Sequence, residues 1–384
     1  MAPVIQSLSA DTRFDSKLCV TAQHRRMLDQ VLELFEIHPD FDLNIMKTSQ
    51  SMVDVTTAIL KGMADVFTHF HPDIVLVHGD TATTFSSTLA AFYHKIPVAH
   101  VEAGLRTGDL YSPWPEEANR KLTAALATFH FAPTETSRQN LLKEGVDPSS
   151  IEVTGNTVID ALVDAIEKLE SDTALQQQLD KQFQFLADDR RVLLATGHRR
   201  DSFGGGLERI CKALIETADA FPDVDIVFPV HLNPNVSEPV NRLLGGVSNI
   251  YLVEPLAYLP FVYLLKRTYL ILTDSGGIQE EAPYLGIPVL VIRNKTERPE
   301  AVEAGMVKLV GTEVDTIVSN LSILLTDSDA YQKISFGGNP YGDGKASSRI
   351  VDSLATMSEI KQVTPLIPSD PEDYPDIQQL SASV

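Results

Sequence analysis

A Ser-Gly-Gly turn followed by acidic residues is the feature of this sequence best suited to binding a ligand. The turn, Ser275-Gly276-Gly277, follows the apolar run Tyr269–Leu272 and opens an amphipathic stretch. Glycine lets the backbone approach a ligand closely, and the free N–H groups at a helix start favour an anion such as phosphate. Glu281, one turn into the helix, could hold a hydroxylated ring such as ribose. The segment indicates a nucleotide or nucleotide-sugar ligand, although close packing alone would also explain it.

Three further carboxylates lie where predicted strands end, and carboxylates in a cleft are suited to proton transfer. Asp80 follows one apolar strand and could instead cap the next helix. Glu102 follows another strand and precedes small residues that would leave space around it. Glu116 comes after Trp114, the only tryptophan, in a proline-rich loop; with Arg120 it could instead form a surface ion pair. Together the three carboxylates favour acid–base chemistry more than any one of them does.

Two groups of basic residues could neutralise a diphosphate. The segment Thr196–Gly206 contains His198, two arginines and four glycines at a predicted helix start. Arg298 stands just before Pro299 at another predicted helix start. A solvated loop is the alternative for the first group, and a capping salt bridge is the alternative for the second. His231 follows a further strand and could equally be a packed hinge residue.

Composition limits the partners of the chain. Its formal charge of −21 argues against nucleic acid or an anionic membrane, since both need basic surfaces. No apolar run approaches the ~18 residues of a membrane span, and no signal peptide is recognisable. Cys19 and Cys211 lie in separate apolar segments, as expected of reduced core cysteines. We therefore expect a cytoplasmic protein.

The sequence contains no motif for a metal or a tightly bound cofactor. Apart from the pair His69-Phe70-His71, its histidines lack the HxxxH or HxH spacing of ligand pairs, and it has no cysteine cluster. A Walker loop and a GxGxxG fingerprint are absent, as is the Gly-x-Ser-x-Gly elbow of serine hydrolases. We expect neither metal nor cofactor.

Short apolar runs alternate with amphipathic stretches along most of the chain, which is typical of parallel α/β sheets. We therefore predict an α/β fold of two Rossmann-like, doubly wound domains, with a cleft at the carboxyl ends of their strands. The predicted domain boundary lies near Asn156. The predicted strands are Lys17–Thr21, Asp73–His78, Pro97–Val101, Thr128–Ala132, Arg191–Thr196, Asp225–Val230, Asn249–Val253, Tyr269–Thr273 and Pro288–Arg293. Predicted helices include Met52–Phe70, Ala82–His94, Glu135–Glu144, Gly206–Ala220 and Gly276–Leu285, with a polar helical stretch at Glu167–Asp189.

Six motifs in this order resemble those of the non-hydrolysing UDP-N-acetylglucosamine 2-epimerases, most closely the enterobacterial type. They are His78-Gly-Asp80, Glu102-Ala-Gly-Leu-Arg106, Pro115-Glu-Glu-Ala-Asn-Arg120, Thr196-Gly-His198-Arg-Arg, Asp274-Ser-Gly-Gly-Ile-Gln-Glu-Glu281 and Glu297-Arg-Pro-Glu300. The resemblance covers roughly residues 1–350. It implies a glycosyltransferase-B arrangement of the two domains, a homodimer, and reversible conversion of UDP-GlcNAc to UDP-ManNAc for surface polysaccharide. For bacterial members it also implies activation by UDP-GlcNAc.

The polar helical stretch that follows Asn156 predicts domains at 1–156 and 157–345, and the Pro-rich composition after Ile360 predicts a disordered tail at 361–384. The resemblance implies that the second domain binds UDP and that helix 346–360 packs back on the first domain, and it also implies the site residues. The implied catalytic residues are Asp80, Glu102, Glu116 and His198. The implied substrate-binding residues are Phe261, Ser275, Gly276, Gly277, Glu281 and Arg298. Gln23 and His24 would belong to the activator region, and Leu256 stands where a polar residue near the uracil is expected.

The N-terminus departs from the pattern of the family. Members begin with a strand and a Gly-Thr-Arg-Pro-Glu-x-Ile-Lys segment before Met-Ala-Pro, whereas this sequence opens at Met1-Ala-Pro as a predicted helix. We expect the polypeptide as written to lack a central strand and two cations near the nucleotide. It should therefore fold poorly or have very low activity.

Three other functions remain open at this stage. A retaining glycosyltransferase of the same architecture would use the same UDP contacts but would need an acceptor rather than three cleft carboxylates. A hydrolysing epimerase would release free ManNAc and UDP. A nucleotide-sugar sensor would bind UDP-GlcNAc without turnover.

Overall fold

The protein is described by a computed structural model that covers residues 1–47, 49–197, 205–294, 296, 298–335 and 338–361, with backbone only at 26 and 357–361. His198 and nearly all of the predicted tail, 362–384, lie outside these residues. The N-terminal part contains strands β1 Cys19–Val20, β2 Phe41–Asp42, β3 Val75–His78, β4 Val98–Val101, β5 Phe129–Ala132 and β6 Ile151–Val153. Its helices are α1 Ala2–Ala10, α2 Arg25–Leu34, α3 Met52–His69, α4 Ala82–Tyr93, α5 Glu116–Leu126 and α6 Glu135–Lys143.

The strands of this part form two separate parallel sheets. One has the order β3-β4-β5-β6, and the other is the pair β1-β2. A cavity of about 1130 Å³ is lined by β1, β3, α1 and α3, with Cys19, Val75, Met63 and Ile5 among its lining residues.

The C-terminal part forms one six-stranded parallel sheet of order β12-β11-β10-β7-β8-β9. Its strands are β7 Arg191–Thr196, β8 Val224–Pro229, β9 Ile250–Val253, β10 Thr268–Thr273, β11 Val289–Val291 and β12 Val307–Leu309. Its helices are α7 Thr157–Ser171, α8 Thr173–Gln182, α9 Gly205–Ala220, α10 Pro234–Leu244, α11 Tyr258–Arg267, α12 Ile278–Tyr284, α13 Pro299–Glu303, α14 Val314–Thr326, α15 Ser328–Ser335 and α16 Ala346–Lys361. The strand order reverses between β7 and β10, which is the ligand-binding position in doubly wound folds.

The predicted α/β class with parallel sheets is confirmed, and all nine predicted strands occur with ends shifted by at most two residues. Strand β7 is buried along its centre and has apolar cores on both of its faces, as its unbroken apolar sequence predicted. The prediction missed β2, β6 and β12, which have only two or three residues each. The polar stretch Glu167–Asp189 is not one helix: α7 ends at Ser171, and α8 ends at Gln182.

Helix α16 returns from the C-terminal part and packs on α1 and α7. Ile350 and Leu354 share a buried cluster with Val4 of α1 and Val101 of β4. Asp160 of α7 fixes the start of α16, because its carboxylate accepts hydrogen bonds from the backbone N–H groups of Ala346 (3.1 Å) and Ser347 (2.7 Å). Helix α7, which follows the last strand of the first sheet, is thereby hydrogen-bonded to the first residues of α16.

Among the described residues, no helix is both long and apolar enough to cross a membrane.

Candidate functional site

Asp80 lies directly after β3 and is held by an arginine of α5. Arg120 Nε donates to Asp80 Oδ2 (3.0 Å), and Nη2 lies 2.7 Å from the same oxygen. Burial raises the pKa of Asp80, an effect opposed by the Arg120 guanidinium and increased by the Glu102 carboxylate. The alternative role of Asp80 as a helix cap is wrong, because Thr81 caps α4 with its hydroxyl.

Arg120 does not form the surface ion pair with Glu116 that its spacing allowed. It is buried and pairs instead with Glu117, whose Oε2 lies 3.0 Å from Arg120 Nη1. The Glu117 carboxylate also accepts backbone N–H groups from Thr107 and Gly108, each at 3.1 Å. Glu117 therefore anchors the loop before α5, while Glu116, the first residue of α5, is partly exposed.

Glu102 follows β4 with a left-handed backbone (φ 63°), an unusual conformation for a residue other than glycine. Its Oε2 lies 3.8 Å from His78 Nε2. A Cβ added to Gly79 (φ 68°) would come within 3.0 Å of that same Oε2. Any residue other than glycine at this position would therefore push the Glu102 carboxylate away. The buried His100 fixes this turn by donating from Nε2 to the Gly79 carbonyl (2.7 Å). Burial lowers the pKa of His100 to about 3, which keeps the imidazole neutral.

The predicted Ser-Gly-Gly turn joins β10 to α12 at the reversal point of the second sheet. The hydroxyls of Thr196 and Thr273, at the ends of β7 and β10, are hydrogen-bonded at 2.6 Å. Ser275 N–H donates to Thr273 Oγ1 (2.9 Å), which sets the direction of the turn. Gly276 and Gly277 complete the turn, and Gly277 is the N-cap residue of α12.

Glu281 is buried on α12 and accepts a hydrogen bond from the Tyr258 hydroxyl (2.7 Å) at the start of α11. Burial raises the pKa of Glu281 to about 7. Phe261 lies one turn further along α11 and is partly buried against the same apolar cluster as Leu256. The two predicted substrate-binding residues on α11 and α12 thus lie on adjoining helices.

Arg298, just before α13, belongs to a network that reaches back to the first sheet. Its Nε donates to Glu280 Oε1. The other oxygen of Glu280 accepts from Asn156 Nδ2 (2.5 Å), and the same amide donates to Glu102 Oε1 (3.1 Å). Asn156 therefore connects a carboxylate of the N-terminal part with α12 of the C-terminal part.

The structure thus brings Asp80, Glu102 and Arg298 close together, since both Glu102 and Arg298 act electrostatically on Asp80. Gln23 and His24 follow β1, where Thr21 Oγ1 lies 3.1 Å from Thr83 Oγ1 at the start of α4. The strand that precedes them therefore contacts the helix that follows Asp80.

Sequence reasoning missed Asn156 and Glu280 as members of the site and misjudged the partner of Arg120. Asn156 could be recognised only as a helix cap near the domain boundary. Glu280 stands beside Glu281 in the same motif, and the sequence does not distinguish their orientations. Buried ion pairs between distant segments carry no local signal.

Comparison with known proteins gives consistent matches over nearly the whole chain. Residues 6–355 match the family model described as UDP-N-acetylglucosamine 2-epimerase. The chain is 60% identical to the UDP-N-acetylglucosamine 2-epimerase of Yersinia pestis and 59% identical to that of Escherichia coli K12, each over 92% of this chain and 94% of the relative. A crystal structure of the Neisseria meningitidis UDP-GlcNAc 2-epimerase bound to UDP-GlcNAc superposes with a TM-score of 0.89 at 54% identity. That match covers 93% of this chain and 96% of the other.

Proposed function

The chain belongs to the UDP-N-acetylglucosamine 2-epimerase family, and from this premise we propose the reaction and the residues that carry it. The proposed reaction is the reversible conversion of UDP-GlcNAc to UDP-ManNAc. The observation that supports it best is the Asn156 bridge, which places Glu102 next to the helix that carries the proposed nucleotide-binding residues. An epimerase that acts on a nucleotide sugar needs its carboxylate close to the site that binds the diphosphate.

The proposed mechanism follows from the chemistry of the sugar. Carbon 2 is not flanked by a carbonyl group, so simple deprotonation there is difficult. Elimination is easier, because UDP leaves from C1 as a proton leaves C2, and the product is 2-acetamidoglucal. A proton then returns to the opposite face of C2, and UDP adds back to C1. This route needs acid–base groups on both faces of the ring and a well-held diphosphate.

The proposed acid–base set is Asp80, Glu102 and Glu116. Burial raises the pKa of Asp80, which favours its protonated form relative to an exposed aspartate, and an acid in this reaction must carry a proton. Glu102 lies next to it with its carboxylate fixed by the Asn156 amide. Glu116 is proposed from the family motif alone, as is His198 on the diphosphate.

The nucleotide is proposed to bind along the second sheet at its reversal point. Arg298, Ser275 and the two glycines Gly276 and Gly277 would hold the diphosphate. Glu281 would hold the ribose, and its contact with Tyr258 fixes the carboxylate for that purpose. Phe261 would lie at the uracil. The relatives from Neisseria meningitidis and Methanocaldococcus jannaschii, whose structures contain UDP-GlcNAc, support a ligand of this class.

The test is proton NMR of UDP-GlcNAc incubated with the protein in D₂O. Elimination and re-addition predict deuterium at C2 together with the signals of UDP-ManNAc. A parallel sample carries the family's N-terminal strand and Gly-Thr-Arg-Pro-Glu-x-Ile-Lys segment before Met1. Release of free ManNAc and UDP would instead indicate the hydrolysing reaction. Binding without exchange in both samples would favour the sensor or the glycosyltransferase.

Several expectations from the sequence and from the family resemblance stay predictions. They are the homodimer, the cytoplasmic location, the role in surface polysaccharide synthesis, the domain limits and activation by UDP-GlcNAc near Gln23 and His24.

A further inference from the structure

The side-chain amide of Asn156 is shared between two carboxylates. Nδ2 donates to Glu102 Oε1 (3.1 Å) and to Glu280 Oε2 (2.5 Å), and both Asn156 and Glu280 are buried. The position of Asn156 is fixed independently, because its backbone N–H donates to the Tyr341 carbonyl (2.7 Å) and its Oδ1 caps α7. The amide therefore holds two negative groups in a defined geometry.

Glu280 is surrounded by ionisable groups from several elements. Arg298 Nε donates to its Oε1, and Glu102 faces it through Asn156. Its neighbour Glu281 and the hydroxyl of Tyr341 also lie within electrostatic range. Burial and the Glu102 carboxylate together raise the pKa of Glu280 to about 7, despite the opposing charge of Arg298.

We propose that Glu280 is a positioning residue that orients Arg298 for the diphosphate, holds Glu102 through Asn156, and takes up a proton when the diphosphate binds. This inference rests on the proposed function, which assigns the diphosphate to Arg298.

Proton uptake follows from the sharing of one cation between two anions. Arg298 compensates the charge of Glu280, and a phosphate drawn to the same guanidinium adds negative charge beside that carboxylate. A nearby like charge favours the neutral form of an acid. The proton comes from the buffer and is retained on the Glu280 carboxyl group, while Arg298 stays protonated. The neutral Glu280 still has an oxygen that accepts from Asn156, so Glu102 keeps its position.

Titration calorimetry with UDP-GlcNAc at pH 8, in two buffers of different ionisation enthalpy, measures this proton directly. With its pKa at about 7, Glu280 holds only about a tenth of a proton at pH 8 before the ligand binds. We therefore expect uptake of about half a proton or more per bound ligand. Epimerisation consumes no net proton, so turnover during the titration does not alter the count.

The matched variants are Glu280→Gln and Glu300→Gln. Glu300 is also a buried carboxylate, but it accepts from Thr134 Oγ1 (2.5 Å) and the Tyr341 hydroxyl (3.4 Å). Glu280→Gln should abolish the uptake, whereas Glu300→Gln should retain it. Tight binding without uptake in the wild type, or equal uptake in Glu280→Gln, would overturn this inference and leave the proposed function intact. Absence of UDP-GlcNAc binding to the wild type would overturn both.

A kinetic experiment separates positioning from general stability. Asn156→Ser keeps a capping hydroxyl for α7 but removes the shared amide. We expect kcat to fall about 10-fold or more with KM changed by less than about 3-fold, because Glu102 loses its orientation while the diphosphate contacts remain. Glu280→Gln should instead weaken the pH dependence of KM between pH 6 and 8 and leave the part that Glu281 contributes. Unchanged kcat in Asn156→Ser together with an unchanged pH profile in Glu280→Gln would refute the positioning role.

Discussion

Arg120 Nη2 lies 2.7 Å from Asp80 Oδ2, so an arginine of α5 holds the carboxylate at the end of β3. The two residues are 40 positions apart, and the fold alone brings them together. The same guanidinium contacts Glu117, which is fully buried. Asp80 is therefore a fixed group whose orientation depends on one buried cation.

Replacement of Asp80 by asparagine should remove proton transfer while keeping the shape of the side chain. We expect kcat to fall by ~10²–10⁴-fold, the usual contribution of a general acid or base. The NMR assay in D₂O measures this as slower deuterium incorporation at C2. Asp65→Asn, an exposed position on α3, is the control and should retain wild-type turnover. Wild-type exchange in Asp80→Asn would exclude Asp80 from the acid–base set.

Arg120→Ala should destabilise the N-terminal part. Removing one partner of a buried ion pair typically costs about 3–5 kcal/mol, because the remaining carboxylate is left buried and uncompensated. The matched control is Arg138→Ala, whose partner Glu135 is exposed and whose pair should contribute about 0–1 kcal/mol. Urea unfolding followed by circular dichroism compares the two. Equal midpoints in the two variants would contradict a structural role for the Arg120 network.

Gly79→Ala tests the close approach between this turn and Glu102. The added Cβ would lie 3.0 Å from Glu102 Oε2, and the positive φ of 68° adds backbone strain. We expect a loss of kcat together with a modest loss of stability. Gly145→Ala is the control, because its φ of 86° imposes similar strain while no atom lies within 4 Å of the added Cβ. A similar kcat in both variants would refute the specific contact.

The strands and the glycine turn were predictable because apolar runs and turn residues act locally. The partners of Arg120 were not. The helix spacing rule allows an i,i+3 pair with Glu117 as well as an i,i+4 pair with Glu116, and it does not say which side of the helix is buried. The contact with Asp80, 40 positions away, has no local signal at all. Asn156 lies at the predicted domain boundary, but its role as a bridge depends on how the two parts pack, which the sequence does not show.

The short strands were missed for a related reason. Strand β6 has the sequence Ile151-Glu-Val and β12 has Val307-Lys-Leu, and each is too short to show a period. Their pairing depends on β5 and β11, to which they add as the last strand of the sheet. Whether such short segments form strands is therefore decided by tertiary contacts.

The stability of the protein should depend on pH through Glu281. Burial raises its pKa from 4.5 to about 7, so the folded protein retains a proton that the unfolded chain releases above about pH 4.5. Stability should therefore fall as the pH rises from about 4.5 to about 7 and level off above that range. Glu280, whose pKa is also raised to about 7, contributes to the same slope. Glu281→Gln should therefore reduce the slope without removing it, measured as the melting temperature at pH 5, 6, 7 and 8. Glu238→Gln, at an exposed glutamate, should leave the slope as it is.

Filling the cavity beside β1 and β3 should stabilise the N-terminal part. The cavity of about 1130 Å³ is lined by apolar side chains such as Val75 and Met63, together with strand edges whose backbone groups could pair with an added strand. Burial of apolar surface contributes about 25 cal/mol per Å², so an added strand that packs there should raise the melting temperature by several degrees. The strand and the Gly-Thr-Arg-Pro-Glu-x-Ile-Lys segment placed before Met1 provide the test. An extension of equal length made of Gly and Ser is the control. If both extensions melt at the temperature of the unextended chain, the cavity does not accept a strand, and any gain of activity in the first must come from its two cations.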